Sequence, residues 1–204
     1  MATTCLTLNP LGFNMMGTWC LSWAKAYGKT HVSVPYDYKT TDPSEGDDPA
    51  DSIQLGADML DDMIHEYVTE TDDVVVFSHS KGSQVVGRWL IKYGDTSDIS
   101  SSKLSFVTTG NPTSSFGHVP WIKYPTPTSV AGGYSIIDIG RREDYWCRWK
   151  GGADPNIFEW ARNIMGMLLV HVNYFAALLN EDGSPNGGIV ETSTVEDTTY
   201  YTIL

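Results

Sequence analysis

Residues 72–93 read DDVVVFSHSKGSQVVGRWLIKY, and their reading decides the fold. Val74, Val75, Val76 and Phe77 form a short apolar run rich in β-branched side chains, which is how a strand buried on both faces is written. The run breaks at Ser78-His79-Ser80-Lys81-Gly82, and an apolar period then resumes as a helix from about residue 82 to 94. A break of this kind has three readings: a nucleophile elbow, a phosphate-binding loop, or a tight turn between a core strand and its helix.

The flanking sequence alternates in the same way. TCLTLN (4–9) reads as a strand, TWCLSWAKAY (18–27) as a helix, and HVSVPYDY (31–38) as a strand running into the acidic loop KTTDPSEGDDP. Asp48 followed by Pro49 suits a helix start. Beyond it Ile53, Ala57, Leu60, Ile64 and Tyr67 fall on one helical face, with Asp51, Asp58, Asp61, Asp62 and Glu66 mostly on the solvated side. Downstream, LSFVTTG (104–110) and YSIIDI (134–139) read as strands. An apolar helical segment begins near Asn156, and the tail 188–204 alternates like one or two added edge strands. This order predicts an α/β fold with a mainly parallel central sheet flanked by helices, in a single domain spanning residues 1–204.

Composition narrows the function classes. At 204 residues, 41% hydrophobic and 19% charged, the chain is long enough to bury a sizeable core. A net charge of −12 with only 13 Lys and Arg argues against nucleic acid and against an anionic membrane surface. No apolar stretch reaches the roughly 18 residues of a membrane span. The N-terminus MATTCLTLNPLGF has neither the basic nor the apolar region of a secretory signal, so a soluble chain not exported by that route is expected. Cys5, Cys20 and Cys147 cannot all pair within one molecule. Nothing in the sequence supports a Cys5–Cys20 bridge, no spacing suggests zinc, and a reducing compartment is the simpler reading.

Ser78-His79-Ser80-Lys81-Gly82 has G-x-S-x-G spacing with Ser78 in the first glycine position. A sharp strand-to-helix turn there lifts Ser80 above the carboxyl edge of the sheet, and the backbone N–H of Lys81 at the helix start is a candidate oxyanion donor. The phosphate-loop pattern requires Lys directly before Ser or Thr, an order absent here. A nucleophilic serine needs a base and an orienting acid, which in α/β-hydrolases follow it in the chain. His31 and His65 precede Ser80, and His79 points away from it in a formed elbow. His118 lies in a long loop, and His171 in LLVHVNYF is far downstream, although a lone His on an apolar face is often a core residue. Among the carboxylates, Asp138 lies within a strand, Asp144 just past its end and Asp154 further on. Asp144 has the best position, although an exposed ion pair with Arg141 or Arg142 would also suit it.

Taken together, these stretches resemble the cutinase-like serine hydrolases, and within them the PE-PPE domain of mycobacterial proteins and related phage esterases. VVVFSHSKGSQVVGRWL resembles the family's strand, elbow and helix; TTGNP its Gly-Asn-Pro strand end; RREDYWCRWKGGADP its acid loop; LLVHVNYF its His-x-x-Tyr segment; and DTTYYTIL its closing strand. The resemblance implies a Ser80–Asp144–His171 triad hydrolysing carboxylic esters with neither metal nor organic cofactor; the lack of a secretory pattern leads one to expect a cytoplasmic or phage-associated protein. Two departures stand out: Ser78 replaces a glycine, and Cys147 lacks the upstream partner found in cutinases, which leads one to expect a looser acid loop. The second oxyanion donor falls somewhere in NPLGFNMMG. A catalytically silent virion or cell-envelope binding protein, and an acyltransferase or thioesterase, are the rival readings.

Between the acid loop and His171, Ile157, Trp160, Ile164 and Leu168 have the spacing of a buried helical stripe. Phe158, Met165, Met167 and Leu169 exceed what one stripe requires. They are expected to form a pliant apolar wall for the acyl chain of a small-molecule or lipid ester.

Overall fold

A computed structural model describes residues 3–12, 16–39, 52–70, 72–117, 125–148, 156–159, 161–162, 165, 170–171, 174, 179–186 and 190–204. In chain order the elements are β1 (Thr3–Leu8), α1 (Met16–Ala26), β2 (Thr30–Ser33), α2 (Ser52–Tyr67), β3 (Asp73–His79), α3 (Lys81–Tyr93), β4 (Leu104–Thr109), β5 (Ser135–Arg141), β6 (Val190–Val195) and β7 (Thr198–Ile203). The strand expected over 31–38 stops early. Its ladder with β1 ends at Ser33, and Pro35 has no N–H to extend it. The expected helix start at Asp48 and Pro49 lies outside the described residues.

The seven strands form one sheet in the order β2-β1-β3-β4-β5-β7-β6. Every pairing is parallel except β6 with β7, so the tail supplies one parallel strand and an antiparallel edge. From β1 the chain crosses outward to β2, and from β3 it proceeds the other way to β4. The topological switch therefore lies between β1 and β3, and the crevice at their carboxyl ends is where open α/β sheets bind ligands.

Alternation along the strands feeds two cores. Leu6, Leu8, Val74, Val76, Leu104, Phe106 and Ile136 face α2 and α3, packing on Ile53, Ala57, Leu60, Ile64, Val85, Val86, Trp89 and Leu90. On the other side Cys5, Val75, Phe77, Val107 and Ile139 meet Trp23 and Ala24 of α1, together with Tyr174 and Leu179. With both faces covered, the uninterrupted Val-Val-Val-Phe run is what burial requires. The acidic side of α2 is not wholly solvated. Asp61 accepts the Trp89 indole N–H at 2.9 Å, and Asp58 accepts from Lys92 and Tyr93, both at 2.8 Å, which locks α2 to α3.

Candidate active site

Ser80 stands between the last residue of β3 and the first of α3, with φ 54° and ψ −118°. A positive φ is strained for a residue bearing a Cβ and is held only when the surroundings enforce it. They do so here from both sides. The Ser80 N–H donates to Thr109 O at 3.0 Å, and a Cβ at Gly82 would collide with Leu8 O, so only glycine lets α3 start so close to β1. Ser78 fits in place of glycine because its buried hydroxyl is bonded to Ser83 Oγ at 3.1 Å. The Lys81 side chain is drawn aside, its Nζ donating to Asp37 O at 3.0 Å, while its N–H leads the first turn of α3.

The structure brings Ser80, Asp144 and His171 together. His171 Nε2 lies 2.7 Å from Ser80 Oγ, and its Nδ1 lies 2.9 Å and 3.1 Å from the two Asp144 oxygens. With a proton on Nδ1 donated to the carboxylate, Nε2 presents its lone pair to the serine O–H. Asp144 sits in the turn just past β5, where its N–H donates to Arg141 O, and it is fully buried rather than paired with surface arginines. Burial opposes its ionisation. The charge of His171 and the hydrogen bonds from His171 and Tyr174 together outweigh that cost and hold the carboxyl below its usual range.

Several residues given no role by the sequence reading complete the site. Tyr174 O–H donates to Asp144 Oδ2 at 2.6 Å, and the Trp146 N–H donates to Oδ1 at 3.2 Å. Gly110, with φ +52°, forms the floor: a Cβ there would lie 2.9 Å from the His79 ring, 3.0 Å from that of His171 and 3.1 Å from Asp144. His79 does turn away from Ser80, and its ring stacks on His171 with centroids 4.9 Å apart at 29°. Burial first, and then the nearby His171, push the His79 imidazole down to about 3. It is a neutral plate beneath its neighbour.

Asp138 is not brought to the histidine. It is buried within β5, accepts from Asn111 Nδ2 at 3.2 Å and lies 3.8 Å from Arg148 Nη2; burial pushes its carboxyl up. Asp154 and His118 lie outside the described residues. The acid loop is not loose, although Cys147 is a free thiol. Arg148 ties it down by donating to Cys147 O at 2.7 Å, to Thr202 Oγ1 at 3.2 Å and to Tyr201 O at 3.3 Å. In the loop after β1, Pro10 has no N–H and that of Gly12 is bonded to Tyr38 O, so neither supplies the second oxyanion donor. Among the described residues no cluster of His, Cys, Asp and Glu is arranged to hold a metal, and no helix is long and apolar enough to cross a membrane.

Ile157, expected in a buried stripe, is 70% exposed, and Phe158 beside it is 83% exposed. Residues 157–159 are helical and begin at Asn156, whose Oδ1 accepts from the N–H groups of Phe158 and Glu159 while Glu159 Oε2 accepts the Asn156 N–H. This reciprocal cap starts a helix. Arg162 pairs with Glu143 at 2.8 Å and lies over the Tyr145 ring, so the segment is anchored on the acid loop and Ile157 is left outside the core. Trp160, Ile164, Met167 and Leu168 lie outside the described residues, as does Leu169.

A mainly parallel sheet with a strained serine at its switch point, covered by helices on both faces, is the α/β-hydrolase fold. The PE-PPE domain profile matches residues 26–204, and the chain belongs to that family. A cutinase-like protein from Cryptococcus sp. superimposes with a TM-score of 0.57 at 14% identity, over 91% of this chain and 97% of that one. A Trichoderma reesei cutinase, solved with a phosphonate inhibitor, gives a TM-score of 0.47 at 17% identity, over 82% of this chain and 74% of its own. No curated protein matches the sequence.

Proposed function

We propose that the protein is a serine esterase acting on carboxylic esters with apolar acyl chains. The observation that carries this is Ser80 Oγ on a strained elbow, 2.7 Å from the imidazole nitrogen opposite the one that faces a buried carboxylate. His171 Nε2 takes the Ser80 proton as Oγ attacks the ester carbonyl carbon, and Asp144 stabilises the imidazolium that forms. The Lys81 N–H, at the positive end of α3, donates to the developing oxyanion together with a second donor. His171 then protonates the departing alcohol. Water, deprotonated in turn by His171, releases the acid from the acyl-enzyme.

The preference for apolar acyl groups rests on Ile157, Phe158 and Met165, which are exposed on the segment tethered to the acid loop. Each methylene they cover in the complex contributes up to ~0.8 kcal/mol. An alkyl fluorophosphonate should add one label, on the peptide carrying Ser80, and Ser80→Ala should abolish it; labelling of Ser78 or Ser83 on folded protein would overturn the assignment. In a p-nitrophenyl ester series, kcat/KM should rise from acetate to at least hexanoate. A series peaking at acetate would refute the acyl preference and leave the nucleophile standing.

A further inference from the structure

A short hydrogen-bond relay ends on Asp144 beside His171. The backbone N–H of Arg141, the last residue of β5, donates to Tyr174 Oη at 2.9 Å, and Tyr174 O–H donates onward to Asp144 Oδ2 at 2.6 Å. Because the phenol's acceptor side is occupied by a fixed N–H, its one proton is directed at the carboxylate. Tyr174 is fully buried and its ring packs 5.1 Å from that of His79, so the hydroxyl has little freedom to swing elsewhere. Oδ2 is also the closer of the two acceptors for His171 Nδ1, at 2.9 Å. One oxygen thus receives both the imidazole and the phenol.

We infer that Tyr174 is a positioning residue that acts through Asp144: it fixes the rotation of the carboxylate and draws off part of its charge, setting how strongly Asp144 pulls on the His171 imidazole. The inference rests on the triad reading above. A donor to a carboxylate competes with the imidazole for the same electron density. Removing it therefore leaves a more basic Asp144, holds the imidazolium more tightly and moves the acid limb of the kcat/KM profile to higher pH. A stronger donor does the opposite.

Among the described residues, the groups facing this pair are few. His79 from β3 stays neutral down to about 3. The Cys147 thiol is pushed up by burial, and the Tyr174 phenol likewise. Arg148 is a permanent cation, and Glu143 is taken by Tyr145 and Arg162. None of these crosses its titration where a histidine base does, so a moving limb reports the Asp144–His171 pair.

The test compares wild type, Tyr174→Phe and Tyr174→3-fluorotyrosine, which keeps the shape of the side chain and makes the phenol a stronger donor. Each is followed by the pH dependence of kcat/KM on one p-nitrophenyl ester and by fluorophosphonate labelling. The expected result is a limb displaced upward for Phe, with kcat lowered at least tenfold and KM little changed, and displaced downward for fluorotyrosine. Superimposable limbs in wild type and the fluorotyrosine variant would overturn the inference, and that comparison stands even if the Phe variant does not fold. If wild type itself takes no label at Ser80, it is the triad reading that fails; if wild type labels and the limbs coincide, only the role of Tyr174 falls.

Discussion

At the scale of single residues, the site separates two buried aspartates by surroundings rather than by sequence context. Asp144 receives donors from His171, Tyr174 and the Trp146 backbone, whereas Asp138 faces Asn111 and Arg148 within the sheet. Asp144→Asn should therefore lower kcat by about 10⁴, as it does in triads elsewhere, with the fold retained, and Asp138→Asn should leave the chemical step nearly intact. Equal losses in steady-state assays would reverse the assignment. His79 makes a separate prediction about stability. Its folded value of about 3 lies below the unfolded 6.5, so on acidification the unfolded chain takes up a proton that the folded chain refuses. Stability is thus full above the unfolded value and falls by about 1.4 kcal/mol per pH unit through the window between the two. Urea unfolding at pH 7 and pH 5 should show wild type losing about 2 kcal/mol more than His79→Phe.

Among the elements, how far the sequence could be read depended on the range of the interaction. The β3–turn–α3 unit is legible because its pattern is local: an apolar run, small residues where strand and helix meet, then a new period. Chain order and resemblance point to Asp144 and His171, and the structure brings both to Ser80. The pairing of Tyr174 with Asp144 is not legible in the sequence, because the bond spans 30 residues and the His-x-x-Tyr spacing relates Tyr174 only to His171. The Arg148 clamp is equally silent in sequence, since its hydroxyl partner lies 54 residues away on β7. Ile157 followed helical spacing and still lies outside, because spacing shows that a face exists and not what covers it. The clamp can be tested directly. Arg148→Met removes the cation beside buried Asp138 and should cost about 3–5 kcal/mol in denaturant unfolding. Arg148→Met combined with Asp138→Asn should regain part of that stability but not the esterase rate, because the acid loop remains untied. Full recovery of both would show that Arg148 serves only to balance Asp138.

For the molecule as a whole, the sheet order makes the candidate site a long-range construction. Ser80 follows β3, Asp144 follows β5, and His171 lies beyond them in the chain, yet the loop carrying Asp144 is fastened to β7, which enters the sheet between β5 and β6. That attachment has a consequence during synthesis. The serine turn can form once β1, β3 and β4 have left the ribosome, since its constraints come from Leu8 and Thr109. Asp144 cannot be secured until Thr198–Ile203 have emerged and paired with β5. A growing polypeptide should therefore carry an unarmed serine until β7 has emerged and paired. Stalled nascent chains ending before Thr198 should resist an alkyl fluorophosphonate, and those extended by a linker long enough to expose Ile203 should react. Labelling of the shorter chains at the same rate would show that the last strand is dispensable for assembling the site.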